Sequence, residues 1–213
     1  MFNSQKQVFW QALLVTILIF GLGIFTGLIL ENWRAGNVDA LFQRSEIDLL
    51  DVKIQNQIYS QTNFNCTSAI NENLYFADRV YNEAKILERY ESASRLSDDI
   101  YFEHKKYDVL RTMVWLNSIE LRKKCNTTYD EVIYLYNFQE ENLNKKTQQA
   151  VFSNQLREIK EIKGSEILLI PIAGNLNISS VNLLMELYKI EEDKLPMIVI
   201  NEKIKITQLK NID

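Results

Sequence analysis

At 213 residues, 46% apolar and 24% charged, the chain is long enough for one or two domains and too apolar for wholesale disorder. A formal net charge of −4 argues against a protein that grips nucleic acid by electrostatics. Six glycines and two prolines leave too few turns for a β-sandwich, and one histidine with two cysteines removes most metal and histidine chemistry.

Val8–Leu30 holds no charged residue. As a helix it reaches roughly 35 Å, more than the ~30 Å hydrocarbon core of a bilayer. A cleaved signal peptide would have a shorter apolar stretch, about 7–15 residues, and a small-x-small cleavage site. Here the run ends in Glu31-Asn32-Trp33-Arg34, with Trp33 suited to the interface, so a single uncleaved anchor is expected. Lys6 precedes the span, while Arg34 beyond it is offset by Glu31 and Asp39. The slight bias places the N-terminus inside and the rest of the chain outside the cytoplasm. Gly23 and Gly27 fit the small-xxx-small pattern that pairs membrane helices, which offers a route to a homodimer; the alternative is ordinary membrane glycine.

From Asp39 to Asn126 there is neither Pro nor Gly. Apolar residues recur at helical spacing in three sets: Ile47, Leu50, Ile54 and Ile58; Ile70, Leu74, Ala77, Tyr81 and Ala84; Tyr107, Leu110, Val114 and Leu121. Asn63 and Asn65 mark one break, and Ser92, Ser94 and Ser97 another. Ser97 before Asp98-Asp99 is a good helix start. Helices are predicted at about 40–60, 66–91 and 98–124, as an antiparallel bundle or coiled-coil-like hairpin. Tyr75, Phe76, Tyr81, Tyr107 and Trp115 are expected in its core.

Cys66 opens the second helix and Cys125 closes the third, with their midpoint in the serine-rich break. Residues equally far from the turn of an antiparallel hairpin lie side by side, so the two sulfurs can form a disulfide. That bond suits an extracytoplasmic compartment. A zinc site from Cys66, Cys125 and His104 lacks the short ligand spacings usual for such sites. His104, within Glu103-His104-Lys105-Lys106, is expected to be a solvated helix position.

The last third changes character. Glu131–Phe138 is β-branched and aromatic. Thr147–Lys163 reads as a helix with Val151, Leu156 and Ile159 inward and Gly164 as its stop. Glu166–Ala173 reads as a buried strand, and Asn177 as the cap of the next helix. Met197–Ile200 and Lys203–Ile206 are short strands joined by Asn201-Glu202. The fold class is α+β: an anchor (1–36), a helical hairpin (37–128) and an α/β domain (129–213) with a mixed sheet.

That strand and helix order resembles the thioredoxin fold. Leu195-Pro196-Met197-Ile198-Val199-Ile200-Asn201-Glu202-Lys203 is similar to the family's cis-proline before a strand and the turn that follows, and Tyr188-Lys189-Ile190 to its usual approach. The whole layout is similar to archaeal single-pass proteins of uncharacterised activity. The resemblance implies a cis Leu195–Pro196 bond and a peptide groove bordered by Phe138, Leu195 and Pro196. It covers about 129–213 and departs from the family at the thiol motif, at the tryptophan that often precedes it and at the final helix. Where thioredoxin-like oxidoreductases carry Cys-x-x-Cys, this chain has Gln139–Lys146 without a thiol, and the fold's final helix is absent or very short after Gln208. Thiol exchange needs an attacking and a resolving thiol, so no catalytic residue, metal or cofactor is expected.

Asp98-Asp99 and Glu140-Glu141 read as solvated charges, and no phosphate loop or serine triad is present. Asn65-Cys66-Thr67, Asn126-Thr127-Thr128 and Asn177-Ile178-Ser179 match glycosylation sequons. Two functional classes follow. One is a membrane-tethered binding or scaffold protein for a protein partner, with a redox-inactive domain outside the bilayer. The other is an accessory to thiol–disulfide exchange that uses Cys66 and Cys125 or a partner oxidoreductase.

Overall fold

The computed structural model describes residues 5–61, 63–93 and 98–208, with side chains at 8–30, 46–60, 63–86 and 101–208. The expected Ser97 cap, and whatever follows Gln208, lie outside the described residues. Two compact units form, Met1–Arg44 and Ser45–Asp213. Helix α1 is assigned over Gln5–Gln61, where the sequence suggested a span and a separate helix.

The first unit contains Val8–Leu30, long and apolar enough to cross a membrane, with mean hydropathy 2.7. The Thr16 and Thr26 hydroxyls donate to the carbonyls of Ala12 and Leu22, each at 2.9 Å. A polar group in an apolar stretch thus satisfies itself on its own helix.

The second unit joins the end of α1, α2 (Cys66–Ala93) and α3 (Asp98–Lys124) to a four-stranded sheet. The strands are β1 (Asp130–Tyr136), β2 (Ile167–Ala173), β3 (Met197–Ile200) and β4 (Ile204–Ile206), in the order β2-β1-β3-β4. β1 and β2 are parallel, linked by α4 (Leu143–Lys163); β3 is antiparallel to both β1 and β4. α5 (Ser179–Leu187) precedes β3. The Asn201-Glu202 turn takes positive φ at both residues (51° and 62°), the geometry a tight hairpin requires.

Period-two alternation gives the sheet two apolar faces. Ile133, Leu135, Leu168, Ile170, Ile172, Met197 and Val199 pack with α2, α3 and α5, around Trp115, Tyr107 and Leu110. Val132, Tyr134, Leu169 and Ile198 pack on the opposite face with Phe152 and Leu156 of α4. Helical hairpin and sheet therefore share one core.

Several sequence expectations are corrected. Ile47, Leu50, Ile54 and Ile58 are exposed. α1 instead turns Asp48, Val52 and Tyr59 inward, with Asp48 on Arg79 (2.5 Å) and Asn56 donating to Asn117 (2.8 Å). Val151 and Ile159 are also exposed, because the inward line of α4 is Gln149, Phe152, Leu156 and Lys160, with polar residues at both ends. Tyr75 is exposed, Tyr81 half-buried, and Phe76, Tyr107 and Trp115 are core residues. Asn177 does not cap α5. It takes φ 52°, Ile178 occupies the cap position, and the Asn177 side chain accepts from Asn182 at 3.1 Å.

The sulfurs of Cys66 and Cys125 lie at disulfide distance, with Cα atoms 5.7 Å apart. Glu131, fully buried at the start of β1, accepts from Trp115 Nε1 (3.0 Å) and faces Arg122 (3.1 Å). Burial pushes its carboxyl up to about 7, against the lowering effects of Ser118 and Arg122.

Two predictions follow from these contacts. Cys66→Ser, or full reduction, is expected to lower unfolding stability by about 4 kcal/mol, the chain-entropy value for a loop of this length. Non-reduced peptide mapping should recover the Cys66–Cys125 pair, and free labelling of both thiols in the native protein would contradict it. For Glu131, the folded protein retains a proton that the unfolded chain releases near the ordinary carboxylate range. Its favourable contribution is therefore present at low pH and lost as pH rises toward 7. Urea titrations of wild type and Glu131→Gln should show the variant gaining, relative to wild type, up to about 3 kcal/mol between pH 4.5 and 8.

Candidate functional site

The carboxyl end of β1 opens into a short loop before α4, and side-chain amides lock that loop. Asn137 N–H donates to Gln149 Oε1 (2.9 Å), and Gln149 Nε2 donates back to the Asn137 carbonyl (3.1 Å). Phe138 N–H donates to Asn175 Oδ1 (2.7 Å), and Asn175 Nδ2 returns to the Phe138 carbonyl (2.9 Å). A primary amide carries acceptor and donor side by side, so each imitates the neighbour a strand would otherwise have. Glu140 accepts from Asn137 Nδ2 (2.6 Å) and Asn142 N–H (2.9 Å), and these bonds hold its carboxyl below its ordinary range. Asn142 caps α4, accepting from the N–H groups of Asn144 and Lys145. Gln139 takes φ 52° in the bend between them.

The Leu195–Pro196 bond beside this loop is cis, as the resemblance implies. Met197, just after it, pairs with Leu135 near the end of β1. Lys145 Nζ donates to the Asp193 carbonyl at 2.8 Å, tying the start of α4 to the segment before the proline. The side chain of Leu195 points into the core. A Cβ added to Gly174 would sit 2.5 Å from Leu195 Cδ1 and 3.2 Å from Met185 Sδ, so a larger residue there would have to push the Leu195 side chain aside. Pro196 is also buried, whereas Phe138 is half-buried. Of the three groove residues expected from sequence, only Phe138 therefore offers a side chain at the surface.

His104 corrects the sequence expectation outright: it is only 5% exposed. Its ring lies 4.2 Å from that of Phe138, tilted by 41°, and its Nε2 lies 2.8 Å from the Tyr136 hydroxyl and 3.6 Å from Asp108. Asp108 is fully buried. One oxygen accepts from Arg111 (2.9 Å) and the other from Ala173 N–H (3.1 Å), at the end of β2. Burial raises the Asp108 carboxyl, opposed by Arg111 and His104. Charged neighbours at 103, 105 and 106 disguise His104 in the sequence. The signal that finds it is its position one turn before Tyr107 and Asp108 on the inward face of α3. Tyr101 stands beside Phe138, with ring centroids 6.3 Å apart, and itself meets the exposed Phe102 at 6.0 Å.

The arrangement presents a rigid aromatic ledge beside a cis-proline segment. It holds no thiol: Cys66 and Cys125 lie beyond the other end of β1, about 20 Å away along the strand. A cavity lined by Ala77, Val80, Arg111, Val114 and Leu169, of about 10 Å³, admits at most one water. Comparisons with protein-family models, with curated proteins and with solved structures find no match for this chain.

The buried contacts set a stability test. Asp108→Ala removes the buried acceptor of both Arg111 and Ala173 N–H and should cost about 3–5 kcal/mol in urea unfolding. His104→Ala should cost about 1–3 kcal/mol. The double variant His104→Ala/Tyr136→Phe should cost clearly less than the sum of the singles, since both remove one hydrogen bond. Strict additivity would show that the 2.8 Å contact contributes nothing.

Proposed function

We propose that this is a membrane-tethered, extracytoplasmic binding protein in which residues 129–213 form a thioredoxin-like domain without redox chemistry. The domain assignment is supported by the β2-β1-β3-β4 order, the antiparallel β3 and the cis Leu195–Pro196 bond beside the end of β1. One observation carries the function. Where the resembling enzymes place their thiols, the loop from Gln139 to Lys146 has amides and charges, held by reciprocal hydrogen bonds. Such a site binds and releases but has no group to attack a disulfide. The ligand class is an extended protein segment, with main-chain pairing near Leu195 and apolar contact from Phe138. The outside orientation rests on the Cys66–Cys125 pair and on the slight excess of positive charge before the span.

The test uses the full chain in lipid nanodiscs. Disulfide-reductase turnover should be absent, and peptide-array binding should weaken about tenfold in Phe138→Ser, with unfolding behaviour otherwise retained. Turnover that disappears in Cys66→Ser would favour the redox-accessory role instead. Binding untouched by Phe138→Ser would place the partner on another surface. Protease added to intact cells should remove the second unit; full protection would reverse the orientation.

A further inference from the structure

The three sequences that match an N-linked glycan acceptor are folded in different ways. In the first, Asn65 Oδ1 accepts from Ser68 N–H at 3.1 Å and the Asn65 carbonyl accepts from Ala69 N–H at 3.0 Å. Cys66 is the first residue of α2 and is paired with Cys125, and Thr67 follows it in the helix. In the third, Asn177 takes φ 52°, its side chain accepts from Asn182 at 3.1 Å, and Ser179 is the first residue of α5. Presenting either one to an enzyme means opening the first turn of a helix. At Asn65 that turn is also held by the disulfide.

The second is in a loop. Asn126, Thr127 and Thr128 lie between the end of α3 at Lys124 and the start of β1 at Asp130, in neither helix nor strand. Asn126 and Thr128 are exposed, and Thr127 is half-buried. Among the described residues, none hydrogen-bonds the side chain of Asn126 or Thr128. Neither Thr127 nor the following Tyr129 is a proline. The segment is held at both ends. Cys125 is buried and disulfide-bonded, and the buried Tyr129 has its hydroxyl 3.0 Å from Ser118 Oγ. A bulky group on Asn126 therefore displaces no contact of the fold, and a segment outside the helix can extend to bring residues i and i+2 to one side.

We propose that Asn126 is an N-linked glycosylation site of this protein, with Thr128 as the hydroxyl residue that the transferase reads. The co-reactant is a lipid-linked oligosaccharide activated through phosphate at its anomeric carbon. Asn126 Nδ2 forms a bond to that carbon, and the bond from the carbon to the phosphate oxygen breaks. The electron pair leaves with the lipid phosphate, and the displaced Nδ2 proton passes to a base of the transferase. The proposal rests on the reading that places the second unit outside the cytoplasm. The seven residues of β1 separate Asn126 from Phe138, roughly 20 Å along the strand, so the sugar leaves the aromatic ledge clear.

The experiment is glycopeptide mapping of the full chain purified from the membranes of its own cells. Asn126→Gln, Thr128→Ala and Thr128→Ser are made in the same cells. The peptide holding Asn126 should carry sugar, and those holding Asn65 and Asn177 should not. Occupancy should fall at least tenfold in Asn126→Gln and Thr128→Ala and persist in Thr128→Ser, which keeps the hydroxyl. All three variants should keep the unfolding transition, since both side chains are exposed. A bare Asn126, sugar only at Asn65 or Asn177, or a modification that survives Thr128→Ala would overturn the proposal. Protease added to intact cells separates the two premises. A protected second unit removes the orientation and with it the glycan. A second unit that protease removes, with Asn126 bare, refutes the glycan site alone.

Discussion

A carboxylate taken out of water must find its partners in the fold, and Asp108 is such a group. Arg111, on the same helix, supplies one partner locally; Ala173 N–H, at the end of β2, supplies one that only tertiary structure can provide. An uncompensated buried charge is costly enough that this requirement fixes how α3 lies on the sheet. Once α3 is fixed, His104 one turn earlier is carried over the end of β1, where it meets Tyr136 and packs against Phe138. Trp115, farther along the same helix, reaches Glu131 at the strand's other end. Two buried acids thus pin α3 to the sheet, Asp108 at the end of β2 and Glu131 at the start of β1.

The ends of β1 are finished by side-chain amides in place of further strand. At its start, Asn201 Oδ1 accepts from Glu131 N–H at 2.8 Å and Asn201 N–H donates to the Glu131 carbonyl at 2.9 Å. At its end, Gln149 and Asn175 do the equivalent for Asn137 and Phe138. The loop that carries the proposed ligand contact is therefore set before any ligand arrives. Preorganisation lowers the ordering cost of binding, which suits a site that must hold an extended segment without a covalent step.

What could be read from the sequence divides along a physical line. The long apolar helix over Val8–Leu30, the meeting of Cys66 and Cys125 and the order of strands along the chain were legible, because each is written in local hydrophobicity or in symmetry about a turn. The cis Leu195–Pro196 bond followed from the resemblance. The inward faces of α1 and α4 were not legible. On α1 the inward line includes buried Asp48 and half-buried Asn56, whose partners Arg79 and Asn117 are far along the chain. On α4 it begins with Gln149 and ends with Lys160, which reaches the Ile167 carbonyl at 2.8 Å. His104 was hidden for the same reason: a polar side chain can be buried wherever distant groups satisfy it, and periodicity of apolar residues does not record that.

The two faces of α1 then differ in how they obtain specificity. The inward face is matched by polar pairs, Asp48 with Arg79 and Asn56 with Asn117. A wrong partner would leave those groups unsatisfied in a buried setting, so this face discriminates by itself. The outward line of Ile47, Leu50 and Ile54 carries no such pairs. Aliphatic contact alone discriminates weakly, since any apolar helix of suitable shape gains nearly as much.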